Sequence, residues 1–162
     1  MNAGYIETSG HTGAVQRQGT DVQIRDVQIE DAAAIEALLT SLGYPDTAEF
    51  IKDKLRQQLE HPDARLLVAE DNSQVLGFVS LHFIPQVALA GDFCRISYFC
   101  VSEAARSQGI GDALEGAVTD LAKARGCDRI EVHCHSRREQ AHRFYARQGY
   151  VESPKYLAKF LR

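Results

Sequence analysis

A short segment in the middle of the chain combines an arginine with two closely spaced glycines, which are residues suited to holding an anion. Val101 ends a predicted strand, Arg106 follows it, and Gly109 and Gly111 open a predicted helix. Glycine lets the backbone approach a ligand closely, and the first turn of a helix leaves N–H groups without acceptors. With the helix dipole and the arginine charge, this pattern predicts a pyrophosphate-binding loop. A plain helix-packing turn is the alternative that the spacing leaves open.

Two better-known phosphate loops do not match this segment. No Lys-Ser or Lys-Thr pair follows the glycines, which excludes the P-loop of nucleoside triphosphatases. The loop also comes after four predicted strands, whereas the glycine-rich turn of a dinucleotide-binding fold follows the first strand. The predicted anion site therefore belongs to another kind of fold.

The elements that must position this loop follow from hydrophobic periodicity and from turn residues. Strands are predicted at 22–25, 65–70, 75–83, 93–101 and 128–135, followed by two short closing strands. A helix capped by Asp31 ends at Gly43, a second is capped by Asp46 or Thr47, and two more are predicted at 109–125 and 137–148. The order β-α-α-β-β-β-α-β-α-β-β predicts an α/β domain with a mixed sheet.

The length and composition predict one domain. The chain has 162 residues, the size of a single ordinary domain, and 44% of them are hydrophobic, enough for a core without disulfide or metal support. Residues 1–19 are rich in glycine, serine and threonine and are predicted to form a flexible arm before a domain at 20–162. The net charge of −4 argues against nucleic acid as the main partner.

Cysteine usage and hydropathy favour a cytoplasmic protein. The four cysteines show no C-x-x-C spacing and are expected to be reduced thiols in a reducing compartment. The start of the chain lacks the basic and apolar regions of a secretory signal. The longest apolar stretch, 76–90, contains His82, Pro85 and Gln86 and is too short to span a membrane.

Two segments carry a resemblance to a known family. The R-x-x-G-x-G pattern from Arg106 to Gly111, after a strand ending in valine, resembles motif A of the GNAT superfamily of N-acetyltransferases. Further along, residues 141–150 (AHRFYARQGY) resemble the A-x-x-F-Y-x-x-x-G-F/Y segment of that family. The resemblance runs from Val22 to the C-terminus, and residues 137–150 look most like aminoalkylphosphonate N-acetyltransferases.

The resemblance implies a fold, a co-substrate and a reaction. The fold would be a mostly antiparallel, mixed seven-stranded sheet with about four helices, splayed between strands 4 and 5, and coenzyme A (CoA) would lie in that cleft. The reaction would be direct attack by a primary amine of a small molecule on the thioester of acetyl-CoA. A pantetheine arm would pair with the strand backbone of Phe99, Cys100 and Val101. The remaining cofactor contacts would come from Arg106, Ser107, Gln108, Gly109, Ile110, Gly111, Asp112, Ala113, Arg138 and Phe144.

The resemblance also implies a proton donor for the departing thiolate. Tyr145 occupies the general-acid position of the family segment. Without the family segment, a core tyrosine on an amphipathic helix would be the preferred interpretation. Arg138 stands where many relatives have an asparagine near the cofactor.

The general base is not indicated by the same motifs. Many relatives place a glutamate on the fourth strand, and no carboxylate stands there in this chain, where the nearby residues are Arg95, Ser97 and Tyr98. His82 is the first candidate, because the ordinary pKa of histidine lies near 6.5. His133 or His135, a water relay from one of the histidines, and Glu103 just past the strand are alternatives.

The run of His133, Cys134 and His135 raises the question of a metal site, and the fold class admits other functions. In a strand, His133 and His135 would share one face and Cys134 would lie on the other, so no metal site is expected there. Acetylation of a protein N-terminus or lysine is a second hypothesis, and a non-catalytic acyl-CoA sensor is a third. Many relatives form homodimers, so a homodimer is a candidate assembly.

Overall fold

The computed structural model describes residues 22–153 and 157–161, and in that part of the chain it contains five strands and four α-helices. The strands are β1 (Gln23–Asp26), β2 (Ala64–Asp71), β3 (Gln74–Ile84), β4 (Phe93–Val101) and β5 (Arg129–Val132). The helices are α1 (Ala32–Leu42), α2 (Ile51–Leu59), α3 (Ile110–Ala124) and α4 (Glu139–Arg147), with short 3-10 turns at Ile29–Asp31 and Glu103–Ala105. No helix among these residues has the length and apolarity needed to cross a membrane.

The five strands form one mixed sheet in the order β1-β2-β3-β4-β5. The first three pairings are antiparallel and β4 pairs with β5 in parallel, which confirms the predicted α/β class with a mixed sheet. The predicted arm at residues 1–19 lies outside the described residues.

The prediction of seven strands was wrong. Neither 151–153 nor 157–161 forms a strand, and Val151, Leu157 and Phe160 are almost fully exposed. A strand requires a partner edge as well as suitable residues. These apolar side chains do not pack on the sheet, so the closing residues form no backbone hydrogen bonds with a neighbouring strand.

Helices cover both faces of the sheet. One buried cluster joins α1 and α2 to one face through residues such as Ile35, Leu55 and Val68. The other cluster joins α3 and α4 to the opposite face through Leu114 and Tyr145, among others. Removing these apolar side chains from water supplies the main favourable term in folding. The sheet thus separates an α1/α2 face from an α3/α4 face.

Two features of β4 shape the region that follows. Ser80 pairs with Tyr98 but Leu81 pairs with Ile96, so Ser97 is an extra residue that forms a β-bulge. The parallel pairing of β4 with β5 ends at Ile96 and Val132, although β4 continues to Val101. Beyond Ile96, no strand of the described residues pairs with the edge of β4 that faces β5. The space beside this edge, next to Phe144 and Tyr145 of α4, is the candidate cleft.

Three predicted boundaries need correction. The N-cap residue of α2 is Phe50 rather than Asp46 or Thr47, because a turn closed by the Phe50 N–H and the Thr47 carbonyl, at 3.1 Å, comes before the helix. β5 ends at Val132 rather than at residue 135, because a turn closed by a hydrogen bond of 2.9 Å from the Arg138 N–H to the His135 carbonyl leads into α4. Accordingly, α4 begins at Glu139 rather than at residue 137.

The predicted cap of α1 was wrong in its geometry. Asp31 precedes the helix but makes no side-chain cap hydrogen bond to α1. Its carboxylate instead accepts the N–H of Gln28 at 2.7 Å and a bidentate pair of hydrogen bonds from Arg25 at 2.8 Å. Asp31 therefore anchors the preceding 3-10 turn to β1.

Candidate active site

The loop between β4 and α3 presents an uncapped helix N-terminus. Ser107 and Gly109 adopt left-handed φ angles of 62° and 80°, and α3 begins at Ile110 without a side-chain cap. The first intrahelical hydrogen bond runs from the Ala113 N–H to the Gly109 carbonyl at 3.0 Å. The N–H groups of the preceding first-turn residues have no acceptor within the helix. With the helix dipole behind them, these groups can bind an anion.

The two glycines of the loop serve different purposes. A Cβ on Gly109 would meet no atom within 4 Å, but its φ of 80° is one that other residues rarely adopt. A Cβ on Gly111 would lie 3.1 Å from the ring of Phe144. Gly111 therefore allows α3 to pack closely against α4. Close approach of a ligand to both glycines stays a prediction, and the contact with Phe144 gives Gly111 a packing role that was not predicted.

The side chains around the loop give it a mixed charge. The Arg106 guanidinium is about half exposed and lies 3.5 Å from the Glu103 carboxylate, an exposed pair of small energetic weight. Gln108 donates to the Ala104 carbonyl at 2.9 Å, and Gln148 donates to the Asp112 carboxylate at 2.6 Å. Among the residues predicted to contact the pyrophosphate, Arg106 therefore has a positively charged group that is exposed enough to reach a ligand. The N–H of Ala113 is already used inside the helix.

The three β4 residues predicted to meet pantetheine lie along the unpaired edge. Phe99 contacts the rings of Phe144 and Tyr145, with centroids 5.5 and 6.2 Å away. The Cys100 thiol points to the other face and donates to the Leu38 carbonyl at 3.3 Å. Burial raises the pKa of the Cys100 thiol, which disfavours the reactive thiolate. These residues offer backbone groups, and no cysteine nucleophile, to a ligand in the cleft.

Tyr145 lies at the α4 side of the cleft. Its side chain is 9% exposed and packs against Phe99, Phe144 and Tyr150, with ring centroids 5.2 to 6.2 Å away. Burial raises the pKa of the Tyr145 hydroxyl, so the group keeps its proton at neutral pH. Its ring position is thus fixed by packing, and its hydroxyl is chemically a donor.

A buried carboxylate supports this aromatic cluster from α3. Glu115 is 6% exposed and accepts hydrogen bonds from Thr119 at 2.9 Å and from the Tyr150 hydroxyl at 3.2 Å. Tyr150 in turn packs on Tyr145. Glu115 was not among the predicted site residues, and its one sequence signal is its position on the otherwise apolar face of a helix.

His82 lies on the α1/α2 face, opposite the face that holds Tyr145. Its Nδ1 is 3.3 Å from the Ser97 hydroxyl, and its ring meets the edge of His61 at 6.2 Å between centroids. Burial, and then the neighbouring His61, lower the pKa of His82. The structure therefore brings His82 to the bulge of β4 and does not bring it into contact with Tyr145. Sequence analysis missed His61 as its neighbour.

The other predicted histidines lie after β5. Because that strand ends at Val132, the alternation argument for His133, Cys134 and His135 does not apply. Nδ1 of His135 accepts the Arg137 N–H at 3.2 Å, and its carbonyl lies 3.0 Å from Nε2 of His142. His135 is thus engaged in the turn that leads into α4.

Arg138 links the two sides of the cleft. It is the N-cap residue of α4, and its guanidinium donates to the Leu42 carbonyl at the end of α1, at 2.6 Å. Its charge lowers the pKa of Tyr145 and of Cys100, although burial outweighs this effect at both. Arg138, which was predicted to contact the cofactor, therefore joins α4 to α1 and lies near Cys100 and Tyr145.

Comparison with known proteins agrees with this geometry. The acetyltransferase (GNAT) family profile matches residues 30–150. An aminoalkylphosphonate N-acetyltransferase of Salmonella typhimurium is 28% identical over 132 residues, covering 81% of this chain and 86% of that protein. An uncharacterised N-acetyltransferase of Bacillus subtilis is 26% identical over 136 residues, which cover 81% of this chain and 91% of that protein.

Solved structures share the fold at lower identity. A transcriptional regulator from Bacillus halodurans superposes with a TM-score of 0.81 at 23% identity, over 86% of this chain and 99% of that one. Glucosamine-6-phosphate N-acetyltransferase from Arabidopsis thaliana gives a TM-score of 0.75 at 18% identity, over 87% and 99% of the two chains. With its family profile, its unpaired β4 edge and its uncapped α3, the chain belongs to the GNAT family of acetyltransferases.

Proposed function

We propose that this acetyltransferase transfers the acetyl group of acetyl-CoA to a primary amine of a small molecule. One observation carries the proposal: β4 runs on to Val101 after its pairing with β5 has ended at Ile96, and it leads directly to the uncapped N-terminus of α3. The unpaired edge of β4 can bind an extended arm, and the start of α3 can bind an anionic group. A ligand that has both parts could therefore occupy the two places at once.

The residues present fit acetyl-CoA, which supplies an activated acetyl group as a thioester. The first-turn N–H groups of α3 and the Arg106 guanidinium would hold the pyrophosphate. The unpaired backbone of β4 from Phe99 to Val101 would hold the pantetheine arm by strand addition. The left-handed φ of Gly109 directs the backbone into α3 without a side chain at the turn. Arg138 and Phe144 would border the cleft from α4.

Two side chains would handle protons on opposite sides of the cleft. His82, whose lowered pKa keeps it neutral at neutral pH, would accept a proton from the incoming amine. Tyr145, which burial keeps protonated, would donate to the sulfur that leaves. A backbone N–H on the unpaired edge of β4 would stabilise negative charge on the acetyl oxygen. No protein nucleophile is needed, which agrees with the raised pKa of Cys100.

The acceptor would enter from the α1/α2 face. Tyr44 and Tyr98 meet edge to face there at 5.4 Å, and their side chains are 47% and 36% exposed. The relative from Salmonella is named for aminoalkylphosphonates, so small amines with an acidic group are the first class to test.

A screen of acceptors tests the proposal. Release of the free CoA thiol would be followed with aminoalkylphosphonates, amino acids, polyamines and short peptides, each matched to an analogue lacking the amine. We expect turnover with at least one small amine and none with its amine-free analogue. Turnover on peptides alone would indicate a peptide acetyltransferase. Binding of CoA without turnover on any amine would contradict the proposal and favour a sensor.

A further inference from the structure

We propose that the Ser97 hydroxyl relays the proton of the acceptor amine to His82, and that the two residues act as one unit. This inference rests on the proposed function and deepens it, because it assigns the base that the family motifs do not indicate. It is carried by the bulge in β4, the place where β4 and β5 separate, and the contact between the two side chains.

The bulge determines where Ser97 lies. As the extra residue between the Ser80–Tyr98 and Leu81–Ile96 pairs, Ser97 has no partner on β3. It is also the first residue of β4 beyond the last pair with β5, Ile96–Val132. A bulge changes the direction of a side chain and often occurs beside a functional site. Ser97 is exposed and stands at the point where the cleft opens.

His82 is set back from the cleft by one strand. It belongs to β3, and neighbouring strands lie about 4.8 Å apart, so a group in the cleft reaches Ser97 before it reaches His82. The Nδ1 of His82 is 3.3 Å from the Ser97 hydroxyl. With the imidazole proton on Nε2, Nδ1 accepts the hydroxyl proton of Ser97. The hydroxyl is then oriented so that its lone pairs face the acceptor.

The groups around His82 keep it neutral and in place. His61, at the end of α2, lies against the ring, and its own Nδ1 accepts the Asp63 N–H at 3.1 Å. Arg95 is directly opposite His82 in the strand register, and its guanidinium pairs with Glu131 at 2.6 Å. Burial, and then the neighbouring His61, lower the pKa of His82 and favour its neutral form.

The proton balance of the step closes without another reactant. An N–H bond of the ammonium breaks, its proton passes to Ser97 as the Ser97 proton passes to Nδ1, and the resulting imidazolium later loses a proton to water. The nitrogen lone pair forms the C–N bond, and the C–S bond breaks with its electron pair on sulfur. Tyr145 gives a proton to that sulfur and regains one from the second N–H of the new amide nitrogen. The products are an amide, a thiol and one released proton.

Kinetics of four variants test the relay. Ser97→Ala, Ser97→Thr, His82→Gln and the double variant Ser97→Ala/His82→Gln would be compared, since Ser97 is exposed and its loss should not disturb folding. We expect Ser97→Ala to lower kcat about ten- to a hundredfold, in the usual range for acid–base catalysis, and threonine to restore most of the rate. The double variant should be no slower than His82→Gln alone, because residues that act as a unit are not additive. Ser136→Ala is the matched control, since the Ser136 hydroxyl lies 3.5 Å from Nδ1 of His135.

Two further measurements separate the possible failures. The His82 ring would be titrated by NMR, and Ser97→Ala should change its chemical shifts and titration if the contact persists in solution. Calorimetry should show unchanged CoA affinity in all four variants. Wild-type kcat for Ser97→Ala, or additive losses in the double variant, would overturn the relay while leaving the acetyl transfer intact. A wild-type protein that turns over no amine would instead overturn the proposed function itself.

Discussion

The proposed cofactor side and the proposed acceptor side of the cleft are built in different ways. On the cofactor side, the β4–α3 loop offers backbone N–H groups and a positive φ at Gly109, all within one stretch of sequence. On the acceptor side, the polar group consists of side chains from separate elements: His61 after α2, His82 on β3 and Ser97 on β4. A backbone site is local in the chain, whereas a side-chain site depends on strand register.

This difference determines how each side tolerates change. Backbone groups remain when a side chain is replaced, so the cofactor side should lose function mainly through changes in its conformation. Each acceptor-side group is a single side chain, and its replacement removes the chemistry directly. Substitutions on the two sides should therefore affect different kinetic quantities.

The largest effect is expected at Tyr145. Tyr145→Phe should lower kcat about ten- to a thousandfold with little change in the KM for acetyl-CoA, because the ring is kept and only the donor is lost. Tyr150→Phe is the matched control, since it removes a hydroxyl that hydrogen-bonds Glu115, and it should lower the thermal midpoint more than kcat. An unchanged kcat with reduced stability in Tyr145→Phe would assign Tyr145 to the core alone.

The two loop glycines should separate binding from packing. Gly109→Val strains a backbone with φ of 80° and is expected to weaken CoA binding about tenfold or more, since a left-handed conformation costs about 1–2 kcal/mol for other residues. Gly111→Ala places a Cβ 3.1 Å from Phe144 and should mainly lower the thermal midpoint. Calorimetric titration measures the CoA affinity of each variant, and thermal melts measure its thermal midpoint. Equal CoA affinity in wild type and Gly109→Val would mean that the loop is only a packing turn.

Ligand selectivity should follow from the unpaired edge of β4. CoA at about a hundred times its Kd should stabilise the folded protein by about 2.7 kcal/mol, because it binds only the folded cleft. NAD and ATP at the same concentration lack the pantetheine arm and should raise the thermal midpoint much less. Equal shifts from all three would show that the site recognises phosphates without using β4.

The smallest effect is expected from His61. The folded-state pKa of His82 is lowered, so its neutral form is favoured, and protonation removes the base as pH falls. The lowered pKa of His82 also affects the free energy of unfolding. The protein keeps its full stability above the unfolded-state pKa near 6.5 and loses part of it as pH falls from there through the lower folded-state pKa. His61→Gln removes one cause of the shift and should move the acid limb of kcat/KM to higher pH. A limb that stays in place would exclude His82 as the titrating group.

The sequence predicted local features well. The start of α3 after Gly109 was predicted, and so were adjacent strands at 65–70 and 75–83, which Asn72 and Ser73 join with positive φ. Both features follow from turn chemistry that operates over a few residues. The roles of Tyr145 and of the β4 edge come from the family resemblance and stay predictions. In each case the signal lies within the segment that forms the structure.

Features that depend on distant contacts could not be predicted in the same way. The bulge at Ser97 is a register shift between β3 and β4, and the short span of β5 depends on the turn that leads into α4. The packing contact of Gly111 with Phe144 was not predicted, because it arises only when α3 packs on α4. The two closing strands were predicted from residue type alone, without a partner edge.

The central claim is that CoA binds along β4 and at the start of α3. Amide hydrogen exchange, measured with and without CoA, tests it most directly because it reports on the backbone groups themselves. Binding at these two places should add protection at residues 97–101 and 106–112, with little change in β1 and β2. Protection confined to other segments, or none at a saturating concentration of CoA, would contradict it.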